Sequence, residues 1–396
     1  MSTDSPGTGH LAASPSSGRT PATTPATTPA TTPATAPRAG LWAKAPSSLP
    51  GRLPEKPGVL AVILVAIAVH GPGDLMSVAT TAVVFGIAAI GLTVLAGPAR
   101  IVNLGASCFI GTGAFMTAYL NNVAETNFLI SLSAACAVCF VLGWAVAPIA
   151  ARLGGVYIAI ITVGLAFLGQ HVFRIATSWT GGTSGVLLTD VPFFGINLAG
   201  PARIGGLVVD RALTYFVLCS IVLMITVVAA TRLLRSRTGR ALHVVGSSSL
   251  TARSFGIDPA RYRGTALVFS AVLCGLAGGL WAGQQSFVSW EQFDLMMCVD
   301  MIAVVVLGGL GSVYGALVGA AILFTLPELV EKLAPYLPLV TDGATGAGLS
   351  PEQFTSVLYG AALIVVMVIE PRGLAALVTR ISDRSHHATT RKETVR

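Results

Sequence analysis

The chain has 396 residues, of which 53% are hydrophobic and 10% are charged, and its net charge is +7. A soluble domain carries about 25% charged residues, and a compact globule of this composition would leave a large apolar surface in water. The composition therefore excludes a soluble globular enzyme and predicts a polytopic, all-α membrane protein.

The first 57 residues differ from the rest, because Thr, Ser, Ala and Pro dominate and the stretch 20–37 repeats a Pro-Ala-Thr-Thr unit. Frequent proline disfavours helices and sheets, and few large apolar side chains are available to offset the entropy of ordering. We expect residues 1–57 to form a disordered cytoplasmic tail without the features of a signal peptide. A docking or regulatory role for this tail is the alternative.

Apolar stretches alternate with short polar breaks from residue 58 onward, and about 20 such residues cross a bilayer. We expect helices at 58–71, 75–96, 101–120, 128–151, 156–173, 212–231, 265–285 and 353–369. The region 299–326 is too short for two full crossings, and Gly308, Gly309 and Gly311 interrupt it. The predicted total is about nine to ten transmembrane helices, including short or broken ones, in a permease domain at 58–374.

The placement of arginine and lysine predicts the orientation, because segments rich in these residues stay in the cytoplasm. The segment 232–264 has one acid, Asp258, and seven arginines: Arg232, Arg235, Arg237, Arg240, Arg253, Arg261 and Arg263. The tail 375–396 is basic as well, so we expect this segment and both termini in the cytoplasm. Three segments with only Lys332 as a base among them are expected outside: 121–127, 286–298 and 327–352.

The region 299–326 must then enter the membrane and return, because both flanking segments are expected outside. We expect two short helices that turn at 308–312, with the irregular backbone buried in protein or lining a cavity. In transporters such breaks often lie beside the substrate.

Small residues that allow close approach of helices also mark the early span that contains Gly105. Tight packing is the plain interpretation of these glycines, and a translocation path where the helices meet is the functional one. We assign eight residues to the path or the helix break: Gly105, Gly111, Gly113, Asp300, Gly308, Gly309, Gly311 and Ser312.

Asp300 is the ionisable residue that we expect deepest in a span, because Val299 and Met301 flank it at the start of the broken region. A charge inside the membrane indicates a functional site, which here would be ion coupling. A coupling relay needs further acids or histidines, and the region 299–326 contains none besides Asp300. We therefore favour a role for Asp300 in helix capping or packing.

The arginine-rich segment 232–264 contains a stretch, 241–255, that predicts a short amphipathic helix. Its expected apolar contacts are Leu242, Val245, Leu250 and Phe255. A helix of this kind lies on lipid headgroups or docks into a partner protein, and the composition favours neither.

The sequence contains no motif for a cofactor, a metal ion, a nucleotide or a nucleic acid. The six cysteines lie mostly inside apolar spans, so we expect no disulfide, and Cys136 and Cys139 are expected to pack between helices. The glycine run at 180–185 lacks the Lys-Ser or Lys-Thr of a phosphate-binding loop. If ATP drives this protein, a separate chain must bind it.

An ordered set of motifs runs through the chain from about Phe85 to Leu374. It comprises Asn-Leu-Gly at 103–105, the glycine-rich span at 109–115, Gly-Val-Tyr-Ile-Ala-Ile-Ile-Thr at 155–162, Thr-Gly-Gly-Thr-Ser-Gly at 180–185, 239–242 with 252–257, Gly-Gly-Leu-Gly-Ser within 305–312, and Pro-Arg-Gly-Leu at 371–374. This set resembles the branched-chain amino-acid ABC permease family, of the LivM type.

The resemblance implies an ABC permease of the LivM/ribose-permease type in the bacterial plasma membrane, a transport subunit and not an enzyme. It implies that the subunit assembles in the lipid bilayer with two ABC ATPase subunits, a second homologous permease and an extracytoplasmic solute-binding protein. The coupling helix of the family corresponds to about 246–256. The residues implied to contact the ATPase are Arg240, Leu250, Arg253, Phe255 and Gly256.

The chain departs from the family at 246–249, where it reads Gly-Ser-Ser-Ser and the family usually has charged residues. The implied substrate is a branched-chain or related amino acid. Urea permeases share the architecture, so a urea or amide permease is the alternative. They tend to read Gly-Gly-Arg-Gly-Thr at the position of 308–312, and this difference favours an amino acid. The alternative from another class is a stand-alone secondary transporter that couples to an ion through Asp300.

Overall fold

The computed structural model of the chain describes residues 73–124, 127–152, 156–188, 207–333 and shorter pieces at 192–193, 196–197, 202–204, 357 and 360–361. The tails 1–57 and 375–396 and the span expected at 58–71 lie outside the described residues, as does most of the span expected at 353–369.

Helices make up most of the described chain. The first five are α1 (Gly73–Ala96), α2 (Ala106–Ala124), α3 (Phe128–Arg152), α4 (Val156–Ile175) and α5 (Thr177–Thr180). They are followed by α6 (Arg211–Arg235), α7 (Arg237–Ser247), α8 (Ser249–Ser254), α9 (Pro259–Gln285), α10 (Leu295–Gly308) and α11 (Val313–Leu333). Two 3₁₀ turns lie at Gly182–Ser184 and Trp290–Phe293.

Strands are short and pair only in twos within the described residues. They are β1 (Val186–Leu187), β2 (Pro192–Phe193), β3 (Ile196–Asn197), β4 (Ala202–Ile204), β5 (Leu207–Val209) and β6 (Phe287–Val288). The pair β1 and β6 is antiparallel, with Val186 opposite Val288. It joins the segment after α4 to the segment after α9, and we call the end of the helices that carries it the strand end.

Five helices of the described chain are long and apolar enough to cross a membrane: α1, α3, α4, α6 and α9. They agree with the spans predicted at 75–96, 128–151, 156–173, 212–231 and 265–285, so the polytopic helical architecture is confirmed. The helix α9 begins earlier than expected, at Pro259, because the side chain of Asp258 accepts a hydrogen bond from the N–H of Ala260 and caps the helix. The total of nine to ten helices stays a prediction.

The glycine-rich helix α2 lies at the centre and packs against α3, α4, α9 and α10. Glycine allows this, because a methyl group at Gly113 would collide with the backbone of Gly275 in α9, and one at Gly278 would collide with the carbonyl of Ile110. Gly111 lies against the rings of Phe173 and Phe293. These contacts account for Gly111 and Gly113 by helix packing, and their place in a translocation path stays a prediction.

The prediction of two helices that turn at 308–312 is confirmed, because α10 ends at Gly308 and α11 begins at Val313. The two helices pack side by side as a broken hairpin, with Gly308 against the carbonyl of Gly315. Asp300 lies in the interior of α10 and does not cap its start, and the alternative role in packing stays a prediction. The helix α10 starts five residues earlier, at Leu295, and Asp294 caps it by accepting a hydrogen bond of 3.0 Å from the N–H of Met297.

The turn of this hairpin depends on Gly309, whose φ of 101° is rarely accessible to other residues. We expect Gly309→Leu to abolish uptake, because the change adds backbone strain of roughly 1–3 kcal/mol and puts bulk into the turn. Uptake measured at matched expression checks this, and Gly164→Leu is the control, because nothing lies within 4 Å of a Cβ at Gly164. Normal uptake by Gly309→Leu would contradict an essential turn.

Candidate functional site

The arginine-rich segment lies at the end of the helices opposite the strand end, which we call the basic end. The single amphipathic helix predicted at 241–255 is wrong, because the structure has two helices, α7 and α8, separated at Ser248. Ser248 is extended, and its hydroxyl accepts a hydrogen bond of 3.2 Å from the N–H of Thr251. Serine in this role starts a new helix and ends the previous one.

The four apolar side chains predicted in this segment divide into two pairs. Leu242 and Val245 of α7 are fully buried, whereas Leu250 is 80% exposed and Phe255 is 75% exposed. The first pair therefore fixes α7 to the membrane helices. The second pair is free to contact something outside the chain, and exposed large apolar side chains of this kind mark interaction sites.

Gly256 fixes the direction of Phe255. It has a φ of 72° and ends α8 in a Schellman motif, in which the N–H of Ile257 bonds to the carbonyl of Ala252 and the N–H of Gly256 bonds to the carbonyl of Arg253. Gly256 thus sets the end of α8, and its predicted contact with the ATPase stays a prediction.

The arginines of the segment have different surroundings. Arg240 donates from Nη1 to the carbonyl of Arg235 at 3.0 Å and thereby caps the end of α6. Arg253 is exposed and lies close enough to Arg263 to repel it, and the Nε of Arg263 is buried without a hydrogen-bond partner in the described structure. Partial burial lowers the pKa of His243 in α7, so this side chain adds no positive charge at neutral pH.

The coupling segment and the broken hairpin are connected through the end of α1. Gly246 of α7 lies directly against the carbonyl of Pro98, and Gly97 lies directly against the backbone of Gly311 in the hairpin turn. Neither contact leaves space for a side chain. The coupling segment and the hairpin turn were predicted separately from the sequence. In the structure the turn at 97–98 contacts both of them and so connects them.

The stretch 97–105 between α1 and α2 is not helical, although the sequence predicts a helix from residue 101. Ala99 and Ile101 are buried in a cluster that also contains Leu242 of α7. Arg100 has a φ of 52°, an unfavourable conformation for a residue with a side chain. Irregular backbone inside a membrane protein occurs where it is buried in protein or lines a cavity.

The end of this stretch is tied to α4. The side chain of Asn103 accepts a hydrogen bond of 2.9 Å from the N–H of Gly105, and Thr162 Oγ1 accepts one of 3.0 Å from the N–H of Leu104. The Nδ2 of Asn103 is buried without a hydrogen-bond partner in the described structure. Gly105, which is predicted to line the path, lies against the carbonyl of Thr162 and beside the side-chain amide of Asn103.

The same region contacts the hairpin from the other side. The Sγ of Cys298 in α10 accepts a hydrogen bond of 3.3 Å from the N–H of Ser107 and donates one of 3.1 Å to its hydroxyl. Asp300 follows in the interior of α10 and is half-buried. Thus α10 contacts the start of α2 near its own beginning, and the hairpin turn contacts the end of α1.

The end of the helix at residue 96 was predicted from the sequence, whereas the non-helical residues 101–105 and the contacts of the stretch 97–105 were not. Proline directly after glycine at 97–98 is a signal that a helix ends, and it was the one available indication. The six cysteines are all described and are free thiols, and no group of three or more His, Cys, Asp or Glu side chains in the described residues is placed to hold a metal ion.

Comparison with known proteins identifies the family. The model of the family "Branched-chain amino acid transport system / permease component" matches residues 75–367. The high-affinity branched-chain amino acid transport system permease protein LivM of Escherichia coli is 28% identical over 316 residues, which are 76% of this chain and 69% of that protein. LivM of Salmonella typhimurium is 27% identical over 312 residues, with the same coverage.

A third relative is the autoinducer 2 import system permease protein LsrC of an Enterobacter species, 28% identical over 228 residues, which are 51% of this chain and 63% of that protein. No solved structure matches the chain. The family match covers well over half of the 396 residues. The chain therefore belongs to the family of permease components of branched-chain amino acid transport systems, and it is the membrane-spanning permease subunit of an ABC importer.

Proposed function

We propose that this subunit carries a branched-chain or related amino acid across the bacterial inner membrane. The two LivM relatives, each matched over 76% of this chain, support an amino acid as the substrate. LsrC supports autoinducer 2 as a second candidate, but it matches only 51% of the chain. The composition of the translocation path does not separate these substrates, because it is built largely from glycine and apolar side chains.

The observation that carries the proposal is the arrangement of the coupling segment. Leu250 and Phe255 project from a short helix, whereas the preceding helix is anchored by Leu242 and contacts the turn at 97–98. Two consecutive short helices, the first anchored to the membrane helices and the second with exposed apolar side chains, are suited to transmit force from a partner. The partner is a separate ATPase subunit, and the proposed contacts include Arg253 and Gly256 as well.

The proposed path lies where the stretch 97–105 meets the hairpin. Gly105 stands beside the buried amide of Asn103, and Gly311 touches the end of α1. Movement of the coupling segment would reach these residues through Gly246 and the turn at 97–98. The hairpin residues Gly308, Gly309 and Ser312 would then change their position relative to α1 during transport.

The proposed orientation puts the basic end in the cytoplasm, because 232–264 has seven arginines against one acid. Both termini are cytoplasmic in this arrangement. The complete importer consists of two ATPase subunits, this permease, a second homologous permease and a solute-binding protein at the strand end.

A stand-alone transporter coupled to an ion through Asp300 is the competing function. We expect that proteoliposomes with the full complex take up substrate only when ATP is supplied to the ATPase side. The chain alone under a proton or sodium gradient is expected to give no uptake, because no second acid or histidine accompanies Asp300 in the region 299–326 to form a coupling relay. Gradient-driven uptake by the chain alone that is lost in Asp300→Asn would overturn the ABC mechanism.

A further inference from the structure

A groove of about 720 Å³ opens between α3 and α9 at the basic end. Phe140 and Trp144 of α3 form one wall, Phe269 and Val272 of α9 form the other, and Leu242 of α7 closes one side. This volume is in the range of sites for small molecules, about 300–1,000 Å³. Most of its lining is apolar.

The length of the groove matches one leaflet of a bilayer. It follows α9 over the twelve residues from Arg261 to Val272, which is about 16 Å of helix. The hydrocarbon core of a bilayer is about 30 Å thick, so one leaflet contributes about half of that. Phe140 is 52% exposed and Trp144 is 67% exposed, which leaves the groove open along one side.

Polar groups gather at one end of the groove, where Arg261, Thr238 and Thr265 line it. Asp258 is also there, but its Oδ1 accepts the hydrogen bond from Ala260 that caps α9. Arg261 and Asp258 offset each other within the lining, but the surrounding segment 232–264 has seven arginines against this single acid, so this end of the groove lies in a basic surface that attracts anionic headgroups. The beginning of α9 adds the positive end of a helix dipole.

We propose that this groove binds one anionic phospholipid, with its phosphate at Arg261 and an acyl chain against Phe140 and Trp144. Basic pockets between transmembrane helices at a cytoplasmic surface are typical sites for anionic lipid headgroups. A helix pairs its own backbone groups but is about 10–12 Å wide, whereas an acyl chain is slim enough to follow a groove of this volume along about 16 Å of mostly apolar wall. A non-helical protein segment would need partners for its backbone polar groups there.

Native mass spectrometry of the full chain in detergent tests the proposal. Phosphatidylglycerol and phosphatidylcholine with identical acyl chains are added in turn, and the bound fraction of each is measured. We expect Arg261→Gln to lower the preference for phosphatidylglycerol about fivefold, the effect of one arginine near an anionic headgroup. Arg232→Gln is the control, because Arg232 is exposed in the same segment but does not line the groove. Trp144→Ala should weaken the binding of both lipids equally.

Three results would overturn the lipid site. An equal loss of the preference for phosphatidylglycerol in Arg261→Gln and Arg232→Gln would mean that the preference arises from diffuse surface charge and not from a site at Arg261. Unchanged lipid binding in Trp144→Ala would mean that the lipid lies elsewhere. A change in oligomeric mass in Trp144→Ala would assign the groove to a second protein subunit. The measurement needs no ATPase, so its failure would leave the proposed coupling to ATPase subunits untouched.

Discussion

Phe255→Ala is expected to reduce the affinity of the permease for its ATPase subunits about thirtyfold and to uncouple ATP hydrolysis from uptake. Phe255 is 75% exposed at the end of a short helix, and its position is fixed by the left-handed Gly256 that follows it. Truncating an aromatic anchor at a protein interface typically costs about 2 kcal/mol or more. Copurification of the ATPase and ATP-dependent uptake are the two measurements.

Phe167→Ala is the matched control for this variant. Phe167 is 54% exposed in α4, one of the helices long enough to span a membrane, and it lies outside the coupling segment. It should therefore leave ATPase binding unchanged. If both variants bound the ATPase as well as the unmodified protein does, a contact through Phe255 would be ruled out.

Gly97→Ala is expected to lower uptake at least tenfold while ATPase binding stays intact. A methyl group at Gly97 would collide with the backbone of Gly311 in the hairpin turn, and its neighbours are backbone atoms that cannot rotate away. Overpacking of this kind costs typically 1–3 kcal/mol and shifts the backbone. The shift would fall on the contact through which the coupling segment reaches the hairpin.

Gly164→Ala is the control for the loss of glycine, because nothing lies within 4 Å of a Cβ at that position. Uptake and ATPase copurification are measured for both variants at matched expression. Loss of ATPase binding in Gly97→Ala would indicate general misfolding. Full uptake in Gly97→Ala would show that the contact with Gly311 has no part in transport.

Hydropathy was enough to locate the long helices, because each is an apolar run that ends in polar residues. The hairpin break was predictable for a different reason. Arginine placement put both flanks of 299–326 on one side, and glycine at 308, 309 and 311 marked the turn. Two independent signals agreed there, and the structure has the break between Gly308 and Val313.

Residues 101–105 were wrongly predicted as helical, because their composition is that of a membrane helix. Ile101, Val102 and Leu104 continue the apolar pattern into α2, so periodicity cannot separate them from the span. The conformation depends on tertiary partners instead. Thr162 of α4 and Leu242 of α7 hold the stretch, and neither can be paired with it from the sequence alone.

The coupling segment was predicted in part. Its four apolar side chains were recognised, but as the contacts of one helix, where Ser248 separates two. Serine is common within helices as well as at their starts, so its capping role depends on the backbone around it. The division matters for function, because it lets Leu242 face the membrane helices while Phe255 projects away from them.

Site-specific photo-crosslinking from position 255 tests the coupling proposal most directly. A photoreactive phenylalanine analogue replaces Phe255 in the full complex in native membranes, and the products are identified by mass. We predict a crosslink to the ATPase subunit whose yield changes when ATP is added. Crosslinks to lipid alone, with the ATPase present and active, would contradict the assignment of this segment to a partner protein.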